Sequence, residues 1–200
     1  LHSPFRERFG IPRQPGLVPL VPGRLAFLPP YDHPRAVAGL EAFSHVWLVF
    51  RFHANPACGP ALTVRPPRLG GNARVGVFAS RSPYRPNGIG LSVVRLEAVE
   101  QTPQGPVLRL RGVDLLDGTP VLDVKPYLPY ADAVPDASGG FGGEATAGLP
   151  VRMTPAAERR LEGRPDRAEV GAVIAAVLAL DPRPGYRRGA PDSERTLGMR

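Results

Sequence analysis

Arg81, Tyr84, Arg85 and Asn87 stand on a backbone that proline and glycine hold rigid, in the run Ala79-Ser80-Arg81-Ser82-Pro83-Tyr84-Arg85-Pro86-Asn87-Gly88-Ile89-Gly90-Leu91-Ser92. Proline sets φ and removes a donor, and glycine opens conformations closed to other residues. Side chains of these types, fixed in place, can hold an anionic or planar ligand. Apolar runs flank the loop, Val75–Phe78 before it and Val93–Leu96 after it. A plain hairpin needs only about two to five residues and one turn signal. The length and constraint therefore favour a binding loop carried by a rigid scaffold over an elaborate strand connection.

Other polar loops join strand-like runs in the same way. Gly10-Ile11-Pro12-Arg13-Gln14-Pro15-Gly16 offers only Arg13 and Gln14 as side-chain hydrogen-bonding groups. Asp117-Gly118-Thr119-Pro120 reads on composition as a turn between two strands. Thr63–Arg74 sets three arginines, Arg65, Arg68 and Arg74, around Pro-Pro and Gly-Gly pairs. A polyanion would relieve their repulsion, although solvated loop arginines are common. His53 closes an apolar strand and reads as a ligand contact or as an ordinary strand-end histidine. Several chemistries find no support. His2, His33, His45 and His53 lack metal-ligand spacing, and no CxxC or HExxH occurs. There is no G-x-S-x-G elbow, and Cys58 has no evident base. Neither a phosphate loop nor a G-x-G-x-x-G fingerprint is present, which disfavours nucleoside triphosphates and a Rossmann cofactor.

Short Val-, Leu- and Phe-rich runs must position these loops. Strands are expected over Arg24–Leu28, Val46–Phe52, Leu62–Arg65, Val75–Ala79, Ser92–Ala98, Val107–Val113 and Val121–Lys125, as in an all-β barrel or sandwich. Arg95 and Glu97 alternate with Val94, Leu96 and Ala98, the mark of a strand with one wet face. A helix capped by Asp32, with Pro34 in its first turn, is expected to carry Val37, Leu40 and Phe43. Ala133–Gly148 reads as a linker. Beyond it Thr154-Pro155 opens a short helix that stops at Gly163, and a second helix spans about Asp166–Leu180. A basic, aromatic loop, Asp181–Gly189, follows.

The 200 residues suit one domain or a domain with an appendage, and bury a core without disulfides. A single cysteine favours a reducing, cytoplasmic setting. No apolar run reaches the roughly 18 residues of a membrane span, and no signal peptide is visible. The chain, lacking an initiating Met, is expected to begin inside a longer sequence. The net charge is +7, and Lys125 is the only lysine. Arginine binds phosphate bidentately and stacks on bases, which suits RNA. A GC-rich coding sequence gives the same bias, so charge alone does not identify the partner.

Taken together, F-G-I-P-R-Q-P-G-L-V (Phe9–Val18), G-L-E-A-F-S-H-V-W (Gly39–Trp47) and T-V-R-P-P-R-L-G-G-N-A-R-V-G-V-F-A-S-R-S (Thr63–Ser82) closely resemble the TsaA-like family, the tRNA methyltransferase O proteins. R-P-N-G-I-G-L-S (Arg85–Ser92), D-L-L-D-G-T-P-V-L-D-V-K-P-Y (Asp114–Tyr127) and D-P-R-P-G-Y (Asp181–Tyr186) continue the likeness along nearly the whole chain. The resemblance implies a mainly β fold with added helices (α+β). It pictures a small single-sheet β-barrel over 1–130, which binds S-adenosylmethionine, and a linker with a smaller helical C-terminal subdomain over 131–200. It also implies a homodimer that methylates N6 of threonylcarbamoyl-adenosine, beside the anticodon of threonine tRNA. A non-catalytic cofactor- or RNA-binding module, or a methyltransferase of another RNA or small molecule, are the rival readings. Carried over by motif, the cofactor contacts are Pro12, Arg13, Gln14, His53, Ala54, Arg81, Leu91, Leu116, Asp117, Gly118, Thr119 and Pro120. Arg65, Arg68, Tyr84, Arg85, Asn87, Lys125 and Tyr127 are expected at the tRNA, with no metal. Arg81, Asp117 and Asp123 are the candidates for a catalytic part. Family members usually carry a strand before Ser3-Pro4 and further chain past Arg200, so this sequence is expected to be clipped at both ends.

Overall fold

The computed structural model describes residues 1–55, 61–70, 72–143 and 148–182. Expectations that touch Cys58, Gly71, residues 144–147 and the basic loop after Pro182 lie outside the described residues. Five strands make one antiparallel sheet: β1 (Pro22–Ala26), β2 (His45–Arg51), β5 (Ile89–Thr102), β6 (Gly105–Arg111) and β7 (Val121–Pro126), in the order β1-β6-β5-β2-β7. A separate two-stranded hairpin, β3 (Thr63–Val64) with β4 (Val75–Gly76), lies within the long connection from β2 to β5.

The alternation read from the sequence sets the faces. Along β5, Gly90, Ser92, Val94 and Leu96 are buried while Ile89, Leu91 and Arg95 are exposed. Val46, Leu48 and Phe50 of β2 and Leu108 and Leu110 of β6 join them on the inner face. Phe5, Val18, Val21, Val37, Val113 and Leu115 cover that face from the loops. Each such side chain removed from water contributes roughly 1.5–3 kcal/mol. On the wet face Arg109 and Arg111 both reach Glu97, and Arg111 also pairs with Glu169.

The expected barrel does not form. β1 and β7 are the two edges of the sheet and do not pair with each other, so the sheet is open. Among the described residues, the N-terminal segment joins β1 to the β6–β7 connection. His2 and Arg24 exchange backbone bonds of 2.7 and 2.9 Å, while Gly118 N–H donates to Leu1 O at 3.0 Å and Asp117 N–H to Phe5 O at 2.7 Å. Within that segment Pro4 has no N–H to give, and the N–H groups of Ser3 and Phe5 go to Asp117 Oδ1 and Ser3 Oγ.

Two further expectations are corrected. The helix over 32–43 is instead two 3₁₀ turns, Pro34–Val37 and Leu40–Ala42. Gly39 at φ 83° breaks the run between them, and His33 Nδ1, not Asp32, accepts from Arg35 N–H at 3.2 Å. The Val75–Ala79 strand stops at Gly76, and Val77–Ala79 is another 3₁₀ turn. A short helix that the sequence did not announce, α1 (Pro129–Asp132), is held by Asp132, whose Oδ2 accepts from Trp47 Nε1 at 3.0 Å and Leu128 N–H at 2.7 Å. The C-terminal helices match the expectation. α2 (Pro155–Leu161) is capped by Thr154 Oγ1, which accepts from Ala157 N–H. α3 (Arg167–Ala179) lays Val177 on the core. No helix among the described residues is long and apolar enough to cross a membrane.

Candidate active site

Antiparallel pairing sends three long segments to the same end of the sheet. β2 and β6 finish there, and β1, β5 and β7 start there. The chain before β1, the β2–β5 connection and the β6–β7 connection therefore meet, and they carry Pro12–Gln14, His53–Asn87 and Leu116–Pro120. The Ala79–Ser92 loop is braced from within. Ser80 Oγ donates to Val77 O at 2.9 Å and accepts from Ser82 N–H at 3.3 Å. Ser82 Oγ accepts from Tyr84 N–H at 3.2 Å, and Arg85 Nη1 donates to Ser80 O at 2.9 Å. Asn87 at φ 67° and Gly88 at φ 59° then turn the chain into β5. Gly90 lets the Phe50 ring lie directly on the strand backbone, where a Cβ would clash. The strand thus begins inside the stretch that reads as loop.

Residues far apart in sequence meet at this end. Arg81 Nη1 donates to Gln14 Oε1 at 2.5 Å, tying the proline-rich N-terminal loop to the β2–β5 connection. Gly16 N–H donates to Gly112 O at 3.0 Å and holds the same loop over the end of β6. Asn55 Nδ2 donates to Pro83 O at 2.8 Å and Phe52 N–H to Gly88 O at 2.8 Å, which set His53 and Ala54 beside the arginine loop. Arg8 Nη1 reaches Tyr84 Oη at 3.4 Å. A cavity of about 190 Å³ opens between Arg8–Arg13 and the end of α3, lined there by Val177 and Leu180.

One residue at this end was not singled out from the sequence. Asp114, just past β6, is partly buried, and its Oδ1 accepts from Ser92 Oγ at 2.7 Å. Burial pushes its pKa up from 3.8 to about 6, against the Ser92 hydroxyl, its own backbone N–H and the charge of Arg81, which all favour the ionised form. The available signal was position. Asp114 lies between Val113 and Leu115, both buried, where a carboxylate is costly unless it is used. Asp117 is the opposite case. Its Oδ1 accepts from Ser3 N–H at 3.0 Å and meets His2 Nδ1 at 3.2 Å. The Ser3 bond, more than burial opposes, holds its carboxyl below the ordinary range, with His2 adding to the effect. Thr119 is buried and closes the turn by donating from Oγ1 to Leu116 O at 2.7 Å. Gly118 supplies the left-handed step at φ 76°, and Pro120 O accepts from Arg51 N–H at 3.0 Å.

Several expected site residues are not gathered here. Leu91 is 54% exposed on the outer face of β5, opposite Val49 and away from Ser92. Asp123 lies on the edge strand β7 and pairs with Lys125 at 3.0 Å. Lys125 and Tyr127 are near the other end, where Lys125 faces Trp47 across the ladder and the Tyr127 ring lies 6.0 Å from the Trp47 ring. Arg65 follows β3, and Arg68 stands on the 3₁₀ turn Pro67–Leu69. Both are exposed, on the hairpin side of the gathered loops. Among the described residues, no group of three or more His, Cys, Asp or Glu side chains is arranged to hold a metal ion.

Known proteins are similar to this chain in sequence and in fold. Residues 1–133 match the tRNA-methyltransferase O N-terminal domain, and residues 146–200 match the TrmO C-terminal domain. The tRNA (adenine(37)-N6)-methyltransferase of Escherichia coli K12 is 49% identical over 191 residues, covering 94% of this chain and 81% of that protein. A Pseudomonas aeruginosa protein, provisionally named as an S-adenosylmethionine-dependent methyltransferase, is 50% identical over 202 residues, covering all of this chain and 85% of its own. A crystal structure of TrmO superposes with a TM-score of 0.78 at 45% identity, over 100% of this chain and 84% of that one.

Proposed function

The chain belongs to the tRNA-methyltransferase O family, and from that premise we propose that it is an S-adenosylmethionine-dependent methyltransferase acting on N6 of adenine 37 in tRNA. Its substrate on this reading is the threonylcarbamoyl-modified adenosine of threonine tRNA. The observation that carries the reading is the meeting of the family's sequence segments at one sheet end, where Gln14, Arg81 and Asp114 come together.

The donor set there suits such a cofactor. The carbonyls of Asp117 and Gly118 and the Gln14 amide can serve hydroxyl and amino groups. The exposed guanidinium of Arg81 suits a carboxylate. When bound, the cofactor supplies an electrophilic methyl group on a sulfonium sulfur. The chain's own part is to orient and to exclude water, and orientation of this kind supplies roughly 7–11 kcal/mol of barrier lowering. Pro12–Gln14, His53, Ala54, Arg81 and Leu116–Pro120 are assigned to the cofactor. The braced 80–88 loop supports this, because in-line transfer tolerates little displacement. Arg65, Arg68, Arg85 and Asn87 are assigned to phosphates and to the modified nucleotide's carboxylate, and Tyr84 to an unstacked anticodon-loop base.

Leu91, Lys125 and Tyr127 lie on other surfaces and enter this reading through a second copy. The exposure of Ile89 and Leu91 on the outer face supports a homodimer, which sedimentation of the purified protein tests. The sheet domain over 1–130 is assigned the cofactor and the helical segment over 131–200 an accessory role. Its tRNA substrate sets the enzyme in the cytoplasm. Transfer of labelled methyl groups from S-adenosylmethionine to unmethylated threonine tRNA tests the whole. Label in the tRNA, lost when adenosine 37 is replaced, is the expected result, and bound cofactor with no label in the tRNA refutes it.

A further inference from the structure

The β6–β7 connection and the strand that follows it carry three carboxylates, and two of them are engaged elsewhere. Asp117 is bound by Ser3 N–H and His2, which lowers its basicity. Asp123 pairs with Lys125 on an exposed edge. Asp114 forms no ion pair among the described residues. Its one side-chain hydrogen bond there comes from Ser92, which is 1% exposed and fixes Oδ1 at 2.7 Å. The nearby cation, Arg81, has given a guanidinium N–H to Gln14 and acts on Asp114 through its charge without a contact. Ser92 thus holds the carboxylate through Oδ1, the aspartate's own backbone N–H also favours the charged form, and the group lies in the β6–β7 connection, one of the three segments that meet at this end. A partly buried acceptor of this kind costs stability without a structural return, which marks it for function.

We propose that Asp114 is the proton acceptor for adenine N6, held by Ser92 and kept in its charged form with the help of the nearby Arg81 guanidinium. This inference rests on the methyl-transfer reading above. An N6 that carries a carbamoyl group is a weaker nucleophile and a stronger acid than a free exocyclic amine, so an acceptor within hydrogen-bond reach matters more for it. The bookkeeping closes without a further reagent. The N6 lone pair forms the new bond to the methyl carbon, the carbon–sulfur pair remains on sulfur, and the N6 proton passes to Asp114 Oδ2 and then to solvent. The groups that set the readiness of Asp114 are Ser92 on β5, Arg81 on the loop before it and the residue's own backbone N–H. All three favour the ionised form, and burial opposes them.

The test uses the whole chain with threonine tRNA. Asp114→Asn keeps the shape and can still accept from Ser92. It is expected to slow single-turnover methylation by roughly 100-fold or more, the range of general-base loss, with cofactor binding by equilibrium titration unchanged. Wild-type rates are expected to rise with pH through about 6 and then level, following the Asp114 carboxyl, whose carbon resonance titrates over the same range in the unloaded protein. Ser92→Ala removes a donor that favours the ionised form, so it moves both the rate limb and the resonance to higher pH. That variant decides the matter if Asp114→Asn does not fold. An Asp114→Asn protein that methylates at the wild-type rate overturns the proposal, as does a Ser92→Ala limb at the wild-type position. A wild-type protein that never methylates tRNA overturns the methyl-transfer reading itself, a failure distinct from either.

Discussion

Replacing Asp114 by Asn should make the protein more stable, and increasingly so as pH rises. The carboxyl's pKa stands at about 6 in the folded chain against 3.8 ordinarily. The folded state thus binds the proton more tightly than the unfolded state does. Stability from this group is fully present below 3.8 and is lost as pH rises through about 6. A difference of about two units corresponds to roughly 3 kcal/mol. Asp114 is only partly buried, and solvent screening reduces that to about 1–2 kcal/mol. For a chain of this size each kcal/mol moves Tm by about 2–4 °C, so Asp114→Asn should melt roughly 2–8 °C higher near pH 8. The gain should shrink at about pH 5, where much of the wild-type penalty has gone. Thermal melts of both proteins across that range are the assay. A variant that melts lower near pH 8, or a gap that is the same at both pH values, would refute the assignment of a destabilising buried charge. Stability gained and activity lost by the same substitution is the pattern expected where a site keeps a strained group for function.

The other predictions address packing, the cofactor end and the tRNA. Gly90→Ala drives a Cβ into the Phe50 ring; it should lower the urea midpoint by the equivalent of about 1–3 kcal/mol, and an unchanged midpoint would count against the close packing of β2 on β5. Arg81→Ala removes an exposed side chain, so the melting temperature should hold while cofactor or tRNA binding weakens and the acid limb moves up, since Arg81 favours the ionised Asp114. Wild-type binding, turnover and pH profile together would remove Arg81 from the site. Arg68→Ala should weaken tRNA binding and reduce the slope of log affinity against log salt by about one unit. An unaltered slope would mean that Arg68 does not meet a phosphate.

Much of the scaffold was written locally. A strand occurs at each expected place, although Val75–Ala79 is cut to two residues; the period-two alternation of Val94–Ala98 reports the buried face directly, while the wholly apolar Val46–Phe50 marks a strand without marking its face. The helix over 32–43 misled, because Val37, Leu40 and Phe43 have helical spacing while Gly39 takes a left-handed step that spacing does not reveal. Closure into a barrel was carried by the family likeness. Whether an edge pairs depends on long-range geometry, which local alternation does not report, and β1 and β7 remain unpaired edges. At the site, the arginine loop and the PRQ segment were legible as candidates. Their contact was not, since Gln14 and Arg81 are 67 residues apart. Asp114 was passed over for the same reason: its significance lies in Ser92 and Arg81, which only the folded sheet brings to it.

Methyl transfer to adenine N6 is read out by nucleoside mass spectrometry. Threonine tRNA carrying threonylcarbamoyl-adenosine, incubated with this chain and S-adenosylmethionine, should yield the modified nucleoside heavier by one methyl group, placed on the base by fragmentation. Without the protein or the cofactor the mass should stay unchanged. Tight cofactor binding with a nucleoside that never gains the methyl group would contradict the account.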